Sequence, residues 1–130
     1  MPLSEQDVYL AIGEAGFATL TAAFFRRVAS DPLLSAIYPK HDLTGAEQRL
    51  CSFLTYRFGG PDSYVQARGH PRLRMRHAAF AIDRAAADRW VQVMQEALTD
   101  AAFPPEPAQL LRRYFSESAN FLINRADGTQ

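Results

Sequence analysis

The sequence predicts an all-α protein. Three observations carry that prediction. Apolar residues recur at steps of three and four along most of the chain. No segment alternates apolar and polar residues as a half-buried strand does. Glycines, prolines and short polar residues fall between the apolar runs, where helices start and stop.

Taken in order, Ser4 with Glu5 and Asp7 behind it reads as an N-cap followed by acids, which the helix dipole favours there. Val8, Ala11 and Ile12 form a short apolar stripe that Gly13 stops, and a second helix starts near Glu14 or Ala15. Its apolar positions are Phe17, Leu20, Phe24 and Val28, with Phe25 beside them. Asp31-Pro32 ends it, because the residue ahead of a proline avoids helical φ/ψ. Residues 33–38 read as a short helical turn closed by Pro39, and Lys40-His41-Asp42 is a polar corner. Thr44-Gly-Ala-Glu47 has the spacing of a capping box and starts a third helix. Its apolar face is Ala46, Leu50, Phe53 and Leu54, and Gly59-Gly60-Pro61 ends it.

Over 62–72 the periodicity is poor, and Gly69 and Pro71 break the segment ahead of a short helix over 73–77. Asp83 can cap the following helix, whose apolar side is Trp90, Val93, Met94, Ala97 and Leu98. Phe103-Pro104-Pro105 is a turn, and prolines in the first helical positions suit a last helix. Leu110, Leu111, Tyr114, Phe115, Phe121 and Leu122 form its apolar face. Four long helices dominate. The connection between the third and fourth is longer than a plain bundle needs, as if something else occupied the space beside it.

Residues 1–130 suffice for a single domain with an apolar core. Acids and bases balance at fourteen each, which argues against a dedicated nucleic-acid binder. The lone cysteine, Cys51, rules out an intrachain disulfide and fits a reducing compartment. The N-terminus lacks the basic and apolar blocks of a signal peptide, and no uninterrupted apolar run approaches a membrane span. These features lead to the expectation of a soluble, cytoplasmic protein, monomeric or homodimeric.

The richest chemistry lies in Arg68-Gly-His-Pro-Arg-Leu-Arg-Met-Arg-His-Ala-Ala-Phe80, which holds two of the three histidines. His77 precedes a small apolar run, and a single neutral imidazole is enough to hold a haem iron. By itself a lone histidine is more often a surface or satisfied core residue. Arg49, Arg68, Arg72, Arg74 and Arg76 could pair with two carboxylates of a cofactor, or form a solvated basic face. Tyr38 and Trp90 carry donors that need partners when buried, whether in a core or in a ligand pocket. Cys51 reads as a small filler. No His, Cys, Asp and Glu residues have the spacing of a side-chain metal site, and no phosphate-binding glycine loop or nucleophile motif is present.

Together these stretches resemble the truncated (2/2) haemoglobins, group II. The resemblance rests on Asp42-Leu-Thr-Gly-Ala-Glu-Gln-Arg-Leu50, Phe58-Gly-Gly-Pro61 and the His77 segment, with Ile37-Tyr-Pro39 and the spacing from His77 to Trp90 in agreement. It runs from about residue 17 to the end of the chain. It implies a globin-like two-over-two helical sandwich, in which the family's B and E helices pack on its G and H helices. The A helix is short and the F region mostly irregular. It further implies haem b with His77 as the iron ligand. Leu50 would cover the iron, and Phe53, Leu54, Phe80, Phe25 and Ala46 would border the pocket, Ala46 standing where larger globins often keep a distal histidine. Arg49, Tyr64 and Arg76 would meet the propionates, and Trp90 and Tyr38 would stabilise the ligand.

Two departures stand out. Phe25 replaces a tyrosine common in the family's B helix, which removes a hydroxyl from the ligand side. The glycines of Gly13-Glu-Ala-Gly16 are separated, a milder change at the junction of the first two helices. With Phe25 and Ala46 unable to donate, Trp90 is expected to be the main donor to bound oxygen, with Tyr38 assisting. The expected ligands are oxygen, nitric oxide, carbon monoxide or similar small molecules. The alternative is a redox enzyme that oxidises nitric oxide or reduces peroxide with an external reductase. A haem-free helical interaction module is the third reading, and the absence of a Soret band would reveal it. Whether His41 can take the sixth iron position is left open.

Overall fold

Gly13 sets the shape of the first long helix. Its φ of 70° and ψ of 176° interrupt the helical path inside α1, Val8–Ala29. Such a conformation suits a residue without a Cβ. The stop expected at Gly13 is therefore a kink, with the helix resuming at once. The computed structural model describes residues 3–38, 42–60 and 84–121. Beyond α1 it contains α2 (Pro32–Ser35), α3 (Leu43–Arg57), α4 (Arg84–Ala101) and α5 (Pro105–Phe121), and no strand among the described residues.

The stripe expected on α1 is the centre of the core: Phe17, Leu20, Phe24 and Val28 are all fully buried. Helix α1 packs mainly on α3 and α4, while α4 packs on α5. Two pairs of helices thus cross in the two-over-two arrangement that the resemblance implies. Val93, Met94, Ala97 and Leu98 on α4 and Leu110, Leu111 and Phe115 on α5 complete the interior. Each large side chain buried this way contributes about 1.5–3 kcal/mol. Phe17 stacks on Phe58, and Phe58 meets Tyr114 edge-on, so aromatic contact runs from α1 through the end of α3 to α5.

Residues Glu5–Ala29 are long and apolar enough, by length and composition, to cross a membrane, a property that a search for unbroken apolar runs does not register. In the fold the stretch is broken at Gly13, and its apolar side faces α3 and α4.

Two helix starts differ from expectation. Ser4 does not cap a backbone N–H; its hydroxyl donates to the Asp7 carboxylate at 2.7 Å. The capping box at Thr44 and Glu47 does not form, because α3 begins earlier, at Leu43, with Asp42 in the cap position. Asp42 makes no cap hydrogen bond either, since its carboxylate is held by Arg49 at 2.8 Å. By contrast, Pro105 starts α5 as expected. The residues expected to cap α4 (Asp83) and to close the turn after α2 (Pro39) lie outside the described set, as do 62–72, the short helix over 73–77 and the side chains of Phe121 and Leu122.

Asp31 does more than end α1. It is 4% exposed, and its carboxylate accepts from the backbone N–H groups of Leu33 and Leu34 at 3.0 and 2.9 Å. Its second oxygen accepts from Arg89 of α4. The Leu34 amide first, and then Arg89, hold this carboxyl below the ordinary aspartate value of 3.8, against the opposing effect of burial. The end of α3 is equally specific. Gly59 has a φ of 100°, and a Cβ there would stand 2.0 Å from the Gln6 carbonyl oxygen, so the N-terminal turn lies directly on this glycine.

Two outcomes follow from these contacts. Gly59→Ala combines a strained conformation with a backbone clash and is expected to cost about 1–3 kcal/mol or more in urea unfolding. A loss of only a few tenths would show that the N-terminal turn is not held there. For Asp31, a lowered native pKa means stability that is fully present above pH 3.8 and lost as pH falls through the lower native value. Asp31→Asn is therefore less stable than wild type at pH 7, and the gap narrows as unfolding is measured at successively lower pH below about 4. A gap independent of pH would contradict the assignment.

Candidate functional site

The turn after α2 and the middle of α4 bring two polar aromatic residues together. The Tyr38 amide donates to the Leu34 carbonyl at 3.1 Å, which fixes the turn. On α4, the Trp90 ring lies between Phe24 of α1 and Phe115 of α5, with centroids 5.2 and 5.5 Å away. So placed, its indole Nε1–H donates to the Tyr38 hydroxyl oxygen at 3.1 Å. Tyr38 in turn meets the Phe25 ring edge-on, 5.2 Å between centroids at 80°. Burial pushes the Tyr38 phenol above its ordinary value of 10, outweighing the hydrogen bond from Trp90, so it stays protonated at neutral pH.

Both residues line an open cleft of about 110 Å³. Leu34, Ile37 and Tyr38 form its wall at the α2 turn, and Leu50, Phe53 and Leu54 form it on α3. Ala86, Ala87 and Trp90 contribute from α4; Tyr114, Phe115, Ser118 and Ala119 contribute from α5. Alanine at 86, 87 and 119 leaves space between helices that a larger residue would fill. Aliphatic and aromatic walls with a few hydroxyl and indole donors suit a flat, largely apolar cofactor such as haem. Among the described residues, no group of three or more His, Cys, Asp or Glu side chains could hold a metal ion by itself.

Of the residues singled out in the sequence, Tyr38, Leu50, Phe53, Leu54 and Trp90 meet in this cleft. Phe25 is buried behind Tyr38, as packing for that ring, and does not form part of the cleft wall. Ala46 is buried one turn before Leu50 on α3. Arg49 pairs with Asp42. Cys51 is half-buried, and burial raises its thiol pKa, in keeping with a filler. His77, Tyr64, Arg76 and Phe80 lie outside the described residues, as do His41, His70, Arg68, Arg72 and Arg74.

Sequence reasoning did not single out Leu34, Ile37, Ala86, Ala87, Tyr114, Phe115, Ser118 or Ala119 for the cleft, nor Asp31 and Arg89 for a role near it. Asp31 had a readable signal, since an aspartate directly before a proline at a first helical position is a strong N-cap. Its partner Arg89 had none, because only the fold brings α4 against α2.

Known proteins with this architecture agree with the geometry. The family model described as bacterial-like globin matches residues 7–122. A group 2 truncated hemoglobin of Bacillus subtilis, YjbI, is 37% identical over 119 residues, covering 92% of this chain and 89% of the relative. The solved structure of a thermostable hemoglobin from Thermobifida fusca has a TM-score of 0.87 at 42% identity, covering 90% of this chain and 96% of that one. The structure of a truncated oxygen-avid haemoglobin from Bacillus subtilis has a TM-score of 0.85 at 38% identity, covering 90% and 98%.

Proposed function

The chain belongs to the bacterial-like globins, among the group 2 truncated haemoglobins, and from that premise we propose that it is a cytoplasmic oxygen-binding protein carrying haem b on His77. Haem and the binding of small gaseous ligands follow from the family itself. When bound, haem would supply an iron able to take up a diatomic ligand. Leu50, Phe53 and Leu54 would hold the porphyrin from α3, with Phe80 added from the His77 segment and Tyr64, Arg49 and Arg76 at the propionates. Arg49 would then have to share its guanidinium with Asp42.

The observation that carries this reading is the hydrogen bond from Trp90 to Tyr38 in an otherwise mostly apolar wall. A diatomic ligand that gains partial negative charge is stabilised by a donor. Trp90 gives its one N–H to Tyr38, and the Tyr38 hydroxyl keeps its own hydrogen. Tyr38 therefore becomes the donor to the ligand, and Trp90 orients and polarises it. This order reverses the one expected from sequence, where Trp90 led and Tyr38 assisted. Phe25 supports the tyrosine ring without competing for its hydrogen. The similar structure from Bacillus subtilis is of an oxygen-avid haemoglobin, which supports tight oxygen binding here.

A hydrogen bond to a charged group is worth about 1.5–3 kcal/mol, or roughly ten- to a hundredfold in dissociation. Tyr38→Phe is expected to speed oxygen release by about that factor, and Trp90→Phe by less, in stopped-flow measurements on the ferrous protein. A large effect of Trp90→Phe with none of Tyr38→Phe would restore the reverse order. His77→Gly is expected to lose the ferrous spectrum of the wild type and regain it when imidazole is added; wild-type ligation without imidazole would remove His77 from the iron.

A further inference from the structure

The Tyr38–Trp90 pair joins two elements that their own hydrogen bond cannot align alone. Tyr38 sits on a turn and Trp90 on a helix, and the hydroxyl must stay within a few tenths of an ångström of the roughly 2.9 Å optimum from the indole nitrogen to be held well. The buried carboxylate of Asp31 meets both elements. Its Oδ1 accepts from the Leu33 and Leu34 amides, and the Leu34 carbonyl accepts from the Tyr38 amide. Its Oδ2 accepts from Nε of Arg89, the residue directly before Trp90 on α4. A continuous path of hydrogen bonds therefore runs from the backbone of Tyr38, through one carboxylate, to the helix turn carrying Trp90.

We propose that Asp31, acting with Arg89, is a positioning residue that sets the Tyr38–Trp90 hydrogen bond and through it the rate of ligand release. Neither residue lines the cleft. The geometry suits the role: a carboxylate with both oxygens engaged resists rotation, and charge-assisted hydrogen bonds are shorter and stronger than neutral ones. Arg89 is partly exposed, so its aliphatic stem and surroundings tolerate substitution, whereas Asp31 is buried. The two ends of the bridge can thus be cut independently. Arg89→Gln leaves the caps on α2 in place; Asp31→Asn keeps the side-chain shape while replacing an acceptor with an amide.

The proposal rests on Tyr38 being the donor to the ligand, and the experiment separates the two ideas. Trp90 is the sole tryptophan, so its ultraviolet resonance Raman spectrum reports indole N–H hydrogen bonding without interference. In the haem-loaded protein, Asp31→Asn and Arg89→Gln are both expected to shift that band toward a weaker hydrogen bond and to speed oxygen release about tenfold. In a Tyr38→Phe background neither is expected to add to the release rate. A purely structural role would lower stability without moving the Trp90 band. An unmoved band in both variants overturns the proposal, and so does equal acceleration with or without Tyr38. If Tyr38→Phe alone leaves release unchanged, the donor reading fails, and the band by itself decides whether Asp31 positions the pair.

Discussion

A part-buried hydrogen bond between Trp90 and Tyr38 is the constraint around which this fold makes most sense. Both polar groups sit in a mostly apolar wall, where pairing them is favourable by about 0.5–1.5 kcal/mol. That pairing requires α4 to lie against the turn after α2 at a set distance. Phe24 and Phe115 clamp the indole from two sides, Phe25 supports the phenol, and Asp31 ties the turn to Arg89. Residues that look like ordinary core in a helical stripe thus also orient one hydroxyl beside an open cleft.

Phe25 changes meaning in this setting. As a departure from the family's usual tyrosine it removes a hydroxyl, which suggested that the indole would become the chief donor. With the pair in view, the phenyl ring is also an edge-on partner that braces Tyr38. A tyrosine at 25 could itself hydrogen-bond with Tyr38 or its ligand and divide the interaction. Phenylalanine leaves the Trp90–Tyr38 pair simple, with one indole donor feeding one phenol.

The long helices were legible because burial follows periodicity. Phe17, Leu20, Phe24 and Val28 stand three and four apart, and one helix face buries all four. Tyr38, Leu50, Phe53, Leu54 and Trp90 were legible as a set through the resemblance and meet in the cleft. Helix starts were less legible: the Thr44–Glu47 spacing fits a capping box, yet the Asp42–Arg49 ion pair accompanies a start two residues earlier, which no local rule anticipates. The direction of the Trp90 hydrogen bond was not legible at all. Sequence marks both residues as donors, and only three-dimensional proximity makes one of them the acceptor of the other.

The most direct test of Tyr38 as the ligand's donor is the infrared C–O stretch of the carbon monoxide complex of the haem-loaded protein. A donor directed at the ligand lowers that frequency. Tyr38→Phe should raise it clearly and Trp90→Phe should raise it less, since the phenol remains in place. An unmoved stretch in Tyr38→Phe, with a clear rise in Trp90→Phe, would contradict the account and assign the ligand to the indole.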